Sequence, residues 1–130
     1  MVFIPDSHRD LIAANQTVTL ATRGADGFPQ VTALWFLADE NGNIKVSLNE
    51  TRQKAKNMAR DPEATLFFDD PANPYRTLEI RVNCEIAADP DYAFADQVGA
   101  KYGANLRQMD TPGESRLVVS FTPVKVNTYG

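Results

Sequence analysis

Residues 78–86 read Leu-Glu-Ile-Arg-Val-Asn-Cys-Glu-Ile, an unbroken alternation that sets Leu78, Ile80, Val82, Cys84 and Ile86 on one face and Glu79, Arg81, Asn83 and Glu85 on the other. An extended strand, with its period of two, separates these sets; a helix would scatter both around its circumference. A strand of this length must lie with its apolar face on a core. Its backbone donors and acceptors must also find neighbouring strands. The chain is therefore organised around a sheet, and Cys84 is expected inside it.

Weaker signals supply the other elements. Thr17–Thr22 alternates with Val18 and Leu20 on one face, and Gly24-Ala25-Asp26-Gly27 then offers a turn. A second strand is expected from Pro29 to Leu37, and Asn41-Gly42 marks a hairpin into a third at Ile44–Leu48. A fourth is expected at Ala64–Phe68. Asp69–Pro74, with two prolines and two aspartates, reads as a rigid connecting loop. A last strand, Arg116–Phe121, meets Pro123 and can resume as Lys125–Thr128. Helical spacing occurs three times. The first helix begins near Pro5, with Asp6 or Ser7 placed to cap it. The second covers Thr51–Arg60, with Ala55, Met58 and Ala59 as its stripe, and stops at Asp61-Pro62. The third follows Asp89-Pro90-Asp91, carries Phe94, Ala95, Val98 and Tyr102 on one stripe, and ends at Gly103. The expected fold is mainly β (α+β): one domain over residues 1–130, a six-stranded antiparallel barrel with about three short helices at its rim. Strands and helices do not alternate one for one, and no Gly-x-Gly-x-x-Gly occurs, which disfavours a doubly wound parallel sheet.

Charge narrows the function. Thirteen basic and 17 acidic residues leave a net charge of -4, which argues against a broad electrostatic grip on nucleic acid. The longest apolar run, Val31–Ala38, is broken by Thr32 and is far shorter than the ~20 residues of a membrane-spanning helix. Met1–Pro5 is followed at once by charged and polar residues, unlike a secretory leader, and Cys84 has no intrachain partner. A cytoplasmic location is the expectation. His8 is the sole histidine, so no metal site is expected. The same scarcity removes a serine–histidine triad, because Ser7, Ser47, Ser115 and Ser120 have only His8 to activate them. Asp69-Asp70 and Asp89-x-Asp91 sit where turns and caps use aspartate.

Two segments carry candidate chemistry. Ser47-Leu48-Asn49-Glu50-Thr51-Arg52-Gln53-Lys54-Ala55-Lys56-Asn57 runs from a strand end into a helix start, where free amides and the cations Arg52, Lys54 and Lys56 suit a phosphate. A solvated helix face accounts for the same residues. Two helical residues at i and i+2 point about 160° apart, so Arg52 and Lys54 share one anion only if Arg52 lies in the extended lead-in. In the second segment, Gln30, Thr32 and Leu34 face opposite to Val31, Ala33 and Trp35. A polar face on a strand needs partners or a ligand. Trp35 fits either the core or a platform for a planar ring. Few internal acids and bases beside a phosphate cradle suit a cofactor that brings its own chemistry.

The sequence also resembles a family. Leu20-Ala21-Thr22, then Asp26-Gly27-x-Pro29, the strand through Trp35-Phe36, and Arg52-x-Lys54-x-x-Asn57-Met58-x-x-Asp61-Pro62 are similar to the split β-barrel flavin and deazaflavin oxidoreductases related to pyridoxamine 5'-phosphate oxidase. Asn73-Pro74-Tyr75-Arg76, Asp89-Pro90-Asp91, Lys101-Tyr102-Gly103 and a terminal strand closing on Pro123 continue the pattern over nearly the whole chain. The similarity is greatest to the branch that uses the deazaflavin coenzyme F-420. Neither Gln30–Phe36 nor Arg116-Leu117-Val118 carries the vitamin B6 oxidases' own motifs.

The resemblance implies an oxidoreductase that binds F-420 and passes hydride to a small conjugated or quinone-like acceptor. FMN is the alternative cofactor, and a non-catalytic flavin carrier or sensor the alternative role. It implies that Arg52, Lys54 and Asn57 hold the phosphate, and that Gln30, Val31, Thr32, Ser47, Leu48 and Asn49 lie against the ring and ribityl chain. It further implies a homodimer with the site at the subunit interface, where the partner's Pro74-Tyr75-Arg76 loop closes it. Many relatives have glycine where this chain has Val82. Tyr75 and Tyr102 are the candidate proton donors, with no catalytic residue assigned.

Overall fold

The computed structural model describes residues 2–130. Its elements run α1 (Asp6–Ala14), β1 (Val18–Arg23), β2 (Pro29–Leu34), β3 (Leu37–Ala38), β4 (Ile44–Asn49), α2 (Gln53–Arg60), β5 (Glu63–Asp70), β6 (Asn73–Ala88), α3 (Ala93–Tyr102), a 3-10 turn (Leu106–Met109) and β7 (Arg116–Tyr129). All strand pairs are antiparallel, in the order β2-β1-β5-β6-β7-β4-β3. The long alternation lies within β6, at the centre of the sheet. Leu78, Ile80, Val82 and Cys84 are buried and Ile86 half-buried. Burial, and after it the charge of Asp61, pushes the Cys84 thiol up to about 12.

The strand order fixes the curvature. β2 and β3 are the two edges of a seven-stranded sheet, yet only Trp35 and Phe36 separate them in sequence. Three residue steps reach at most about 11 Å. Seven strands laid flat would hold their edges about 29 Å apart. The sheet must therefore curl until its edges nearly meet, giving a split barrel with Trp35-Phe36 across the seam. Phe36 is buried and meets Phe68 edge to face at 5.5 Å. The seam's backbone is held by the end of α3. Tyr102 Oη accepts from Phe36 N at 3.1 Å and lies 2.8 Å from Gln16 O and 3.0 Å from Phe36 O. Lys101 Nζ donates to Phe36 O at 2.8 Å.

Several boundaries differ from the sequence reading. There are seven strands where six were expected, because the segment Pro29–Leu37 is cut at the seam into β2 and the short β3. The expected loop Asp69–Pro74 is instead a tight hairpin. β5 runs to Asp70, β6 starts at Asn73, and Asp70 pairs with Asn73 beside a register shift. The aspartate and asparagine turn the chain locally, with Asp70 Oδ1 accepting from Ala72 N and Asn73 Oδ1 from Tyr75 N. Pro123 does not end the last strand. Arg81 pairs with Lys125 and Val82 with Pro123, so Val124 is an extra residue bulged beside a proline that has no N–H to give. At the first helix, Pro5 is the N-cap and neither Asp6 nor Ser7 caps it; Ser7 Oγ instead lies 2.8 Å from His8 Nδ1. Asp89 does cap α3, accepting from Ala95 N at 2.9 Å. Gly103 adopts the left-handed conformation (φ 66°) at its end.

Replacing Tyr102 by Phe keeps the ring but strips the partner from the buried Phe36 amide. The variant is expected to lose about 1–3 kcal/mol in urea unfolding, with its m-value unchanged; a loss under 0.5 kcal/mol would mean that the seam is held otherwise.

Candidate functional site

A cavity of about 380 Å³ opens beside the seam, within the size range of small-molecule sites. Ala33 and Leu34 come from the end of β2, Trp35 from the seam, Ser47, Leu48 and Asn49 from the end of β4, and Arg52 and Lys54 from the start of α2. Val98 of α3, Leu106 and Met109 of the 3-10 turn, and Arg116 of β7 complete much of the wall. Trp35 stacks on Tyr102 with ring centroids 4.7 Å apart and planes 7° from parallel. It thus both packs against α3 and presents an aromatic surface to the cavity.

The cationic junction has the backbone that charge sharing requires. Arg52 is extended (φ -67°, ψ 139°) and serves as the N-cap of α2, so it escapes the helical rotation that would turn it away from Lys54. Burial, together with the nearby charge of Arg52, lowers the pKa of Lys54. Neither side chain has a hydrogen bond or ion pair among the described residues, in contrast to Arg23, Arg76, Arg107 and Arg116. The backbone N–H groups of Gln53 and Lys54 likewise have no acceptor among the described residues. Ser47 Oγ and Thr32 Oγ1 are sealed from solvent without a partner. Two unpaired cations, two open amides and the orphan hydroxyl of Ser47 form a donor set that suits a phosphorylated polyol.

The expected residues are not all gathered here. Ser47, Leu48, Asn49, Arg52 and Lys54 line the cavity. Thr32 lies on the same strand face as Leu34 and Gln30, but Gln30 belongs to an adjoining polar pocket with Gln53 and Asn57. Asn57 is buried and already engaged: its amide donates to Thr22 Oγ1 and Gln30 Oε1, and its carbonyl accepts from Gln53. This differs from the direct phosphate role expected of it, because both amide protons are committed to tying α2 to β1 and β2. Val31 is 60% exposed on the face of β2 that it shares with Ala33, but is not itself part of the wall, and Thr32, on the other face, lines neither pocket. Val82 packs in the core and is absent from the wall.

Pro74, Tyr75 and Arg76 stand apart from the cavity of their own chain. Pro74 and Tyr75 are exposed. Arg76 binds Asp10 at 2.6 Å, Asp70 at 3.2 Å and the Ser7 carbonyl, which braces the β5–β6 hairpin against α1. The Tyr102 hydroxyl is occupied by the seam, which leaves it unsuited to the proton-donor role expected of it.

Sequence reading missed the cavity's third cation. Arg116 opens β7 and pairs across the sheet with Asn49. Its guanidinium meets Asp110 at 2.6 Å, and the two side chains are only 7% and 3% exposed. Asp110 also accepts from Asn49 Nδ2 and Tyr92 Oη, each at 2.8 Å. Burial alone would raise the Asp110 carboxyl; the bonds from Arg116, Asn49 and Tyr92 and the charge of Arg116 outweigh it and hold the group below its ordinary value. The available signal was an arginine at the first position of a core strand, but its partner lies in a segment read only as loop.

Comparison with known proteins agrees with this architecture. No curated protein matches the chain. A solved F420 reductase is similar at 31% identity and TM-score 0.79, covering 95% of this chain and 98% of that one. A conserved hypothetical protein from Mycobacterium tuberculosis is similar at 25% identity and TM-score 0.77, covering 99% of this chain and 86% of that one. HutZ, the heme storage protein of Vibrio cholerae, shares the fold at 16% identity and TM-score 0.69, covering 99% and 96% of the two chains. The family model described as pyridoxamine 5'-phosphate oxidase matches residues 4–130, and with the curled antiparallel sheet already established, the chain belongs to that family.

Proposed function

We propose that the chain is an oxidoreductase that holds a deazaflavin of the F-420 type in the cavity beside the seam. The observation that carries this reading is the unpaired Arg52–Lys54 couple beside the orphan hydroxyl of Ser47. Similarity to an F420 reductase over nearly the full length of both chains supports deazaflavin over FMN. When bound, the reduced deazaflavin supplies hydride to a small conjugated or quinone-like acceptor. Arg52 and Lys54 anchor the phosphate, and the Ser47 hydroxyl receives the partner it lacks. The Trp35 ring and the Leu48, Val98 and Leu106 side chains give planar aromatic and apolar surfaces that exclude water.

The active form in this reading is a homodimer in the cytoplasm. Val31 and Phe67 are exposed large apolar residues on the outer face of the sheet, a surface a second copy would cover. The partner's Pro74 and Tyr75 reach the site while its Arg76 keeps the hairpin rigid. Among the described residues, no helix is long and apolar enough to cross a membrane.

Lys54→Ala is expected to weaken F-420 binding, read by deazaflavin fluorescence, by about 10- to 100-fold, the worth of a charge-assisted hydrogen bond. Unchanged affinity removes the anchor. FMN titrated in parallel decides between the cofactors, and loaded protein that fails to reduce menadione or cyclohexenone is a carrier.

Lys54 also predicts a pH dependence. Its lowered pKa means that it sheds its proton at a lower pH than an exposed lysine, and only the protonated form attracts the phosphate. Affinity is expected to fall as pH rises through that lowered value. Lys54→Arg, which stays charged, should flatten the decline; an identical slope in both proteins would exonerate Lys54.

Phe67→Glu is expected to turn a sedimenting dimer into a monomer and to weaken cofactor binding with it. A wild-type protein that sediments as a monomer at micromolar concentration would dispose of the shared site.

A further inference from the structure

The Arg116–Asp110 pair is the one salt bridge, among those between described residues, in which both side chains are almost wholly buried. Buried ion pairs are poor sources of stability, because desolvation consumes most of their attraction. This one is nevertheless elaborately supported. Asp110 Oδ1 takes bonds from Arg116 Nη2 and Asn49 Nδ2, and Oδ2 takes bonds from Arg116 Nε and Tyr92 Oη. Tyr92 is the only non-glycine among the described residues with positive φ (59°). Backbone strain of this kind persists where the surroundings over-determine it, and it gathers at functional sites.

The donor count on Arg116 shows where this effort leads. A guanidinium carries five N–H bonds. Nε and Nη2 spend theirs on Asp110 and, at 3.4 Å, on the Leu106 carbonyl. Nη1 has no partner among the described residues, yet it is not one of the solvent-sealed orphans, and Arg116 lines the cavity. Its remaining donors therefore open onto the cavity. Because Asp110 neutralises the charge locally, Arg116 is suited less to another phosphate than to a polarised neutral oxygen.

We propose that Arg116 contacts the ligand directly, donating from Nη1 to a carbonyl oxygen of a conjugated system in the cavity, with Asp110 and Tyr92 as the residues that position it. This deepens the oxidoreductase reading and rests on it. The oxygen belongs either to the ring of the bound cofactor or to the acceptor; the chemistry recognised is the same, and the experiment separates the two.

Arg116→Lys keeps a cation beside Asp110 but loses the planar fork. The double variant Arg116→Gln with Asp110→Asn removes both charges together, so that neither is left buried alone. Each is compared with wild type and with Lys54→Ala in thermal unfolding, F-420 affinity by fluorescence, ribose 5-phosphate affinity by competition, and KM and kcat for menadione. If the oxygen is on the cofactor, both Arg116 variants lose about 10-fold or more in F-420 affinity, while ribose 5-phosphate, which has the anchor's phosphate and no conjugated carbonyl, binds within about 2-fold of wild type. If it is on the acceptor, F-420 affinity holds and the KM for menadione rises about 10-fold. Tyr92→Phe should reproduce the same selective loss more weakly. Equal losses for F-420 and ribose 5-phosphate alongside a lowered Tm would make Arg116 a structural residue and overturn the proposal, as would variants that match wild type throughout. Wild-type protein that binds neither F-420 nor FMN would instead bring down the oxidoreductase reading, and this assignment with it.

Discussion

Closure of the sheet across Trp35-Phe36 is the constraint on which the rest of the molecule depends. Two residues must bridge strands that a flat sheet would hold far apart, so curvature is a consequence of connectivity. The bridge carries its own cost, because the amide and carbonyl of Phe36 lie beyond any strand ladder while its ring is buried. Lys101 and Tyr102 meet that need from the end of α3. The helix thereby becomes part of the barrel wall, and its stack on Trp35 gives the cavity a flat side. Fold closure and site formation share the same few atoms.

Around this seam the molecule keeps three kinds of charge. Arg23, Arg76 and Arg107 meet carboxylates at the surface, where such pairs contribute little. Arg52 and Lys54 have no such partner, and burial holds Lys54 below its usual pKa. That is an unfavourable arrangement for the empty protein and a favourable one for a protein that meets an anion, since binding relieves the repulsion between the two cations. Arg116 represents a third state, buried and paired with Asp110.

Much of this was legible in the residues. The alternation from Leu78 to Ile86 located the central strand and its buried face, and Asn41-Gly42 located a hairpin whose Gly42 has φ 82°. The rotation between positions 52 and 54 required Arg52 to be extended, and it is. Other readings failed for definable reasons. Asp69–Pro74 has the composition of a loop, but two residues suffice to turn the chain there. Gln30, Val31 and Thr32 fall on two faces of β2, Val31 on the exposed face and the other two on the half-buried one.

The sequence by itself determined the local matters: which residues favour strand or helix, which face of each is apolar, and where a cationic helix start follows a strand. These follow from side-chain periodicity and backbone preference within a few residues. The tertiary structure alone decided which distant groups meet. Arg116 faces a carboxylate from a segment that resembles a loop, Asn57 spends its amide on Thr22 and Gln30, and Tyr102 gives its hydroxyl to the backbone of Phe36. Such pairings depend on strand register and on the curl of the sheet, and both are set by contacts between residues remote in sequence, which no local pattern records.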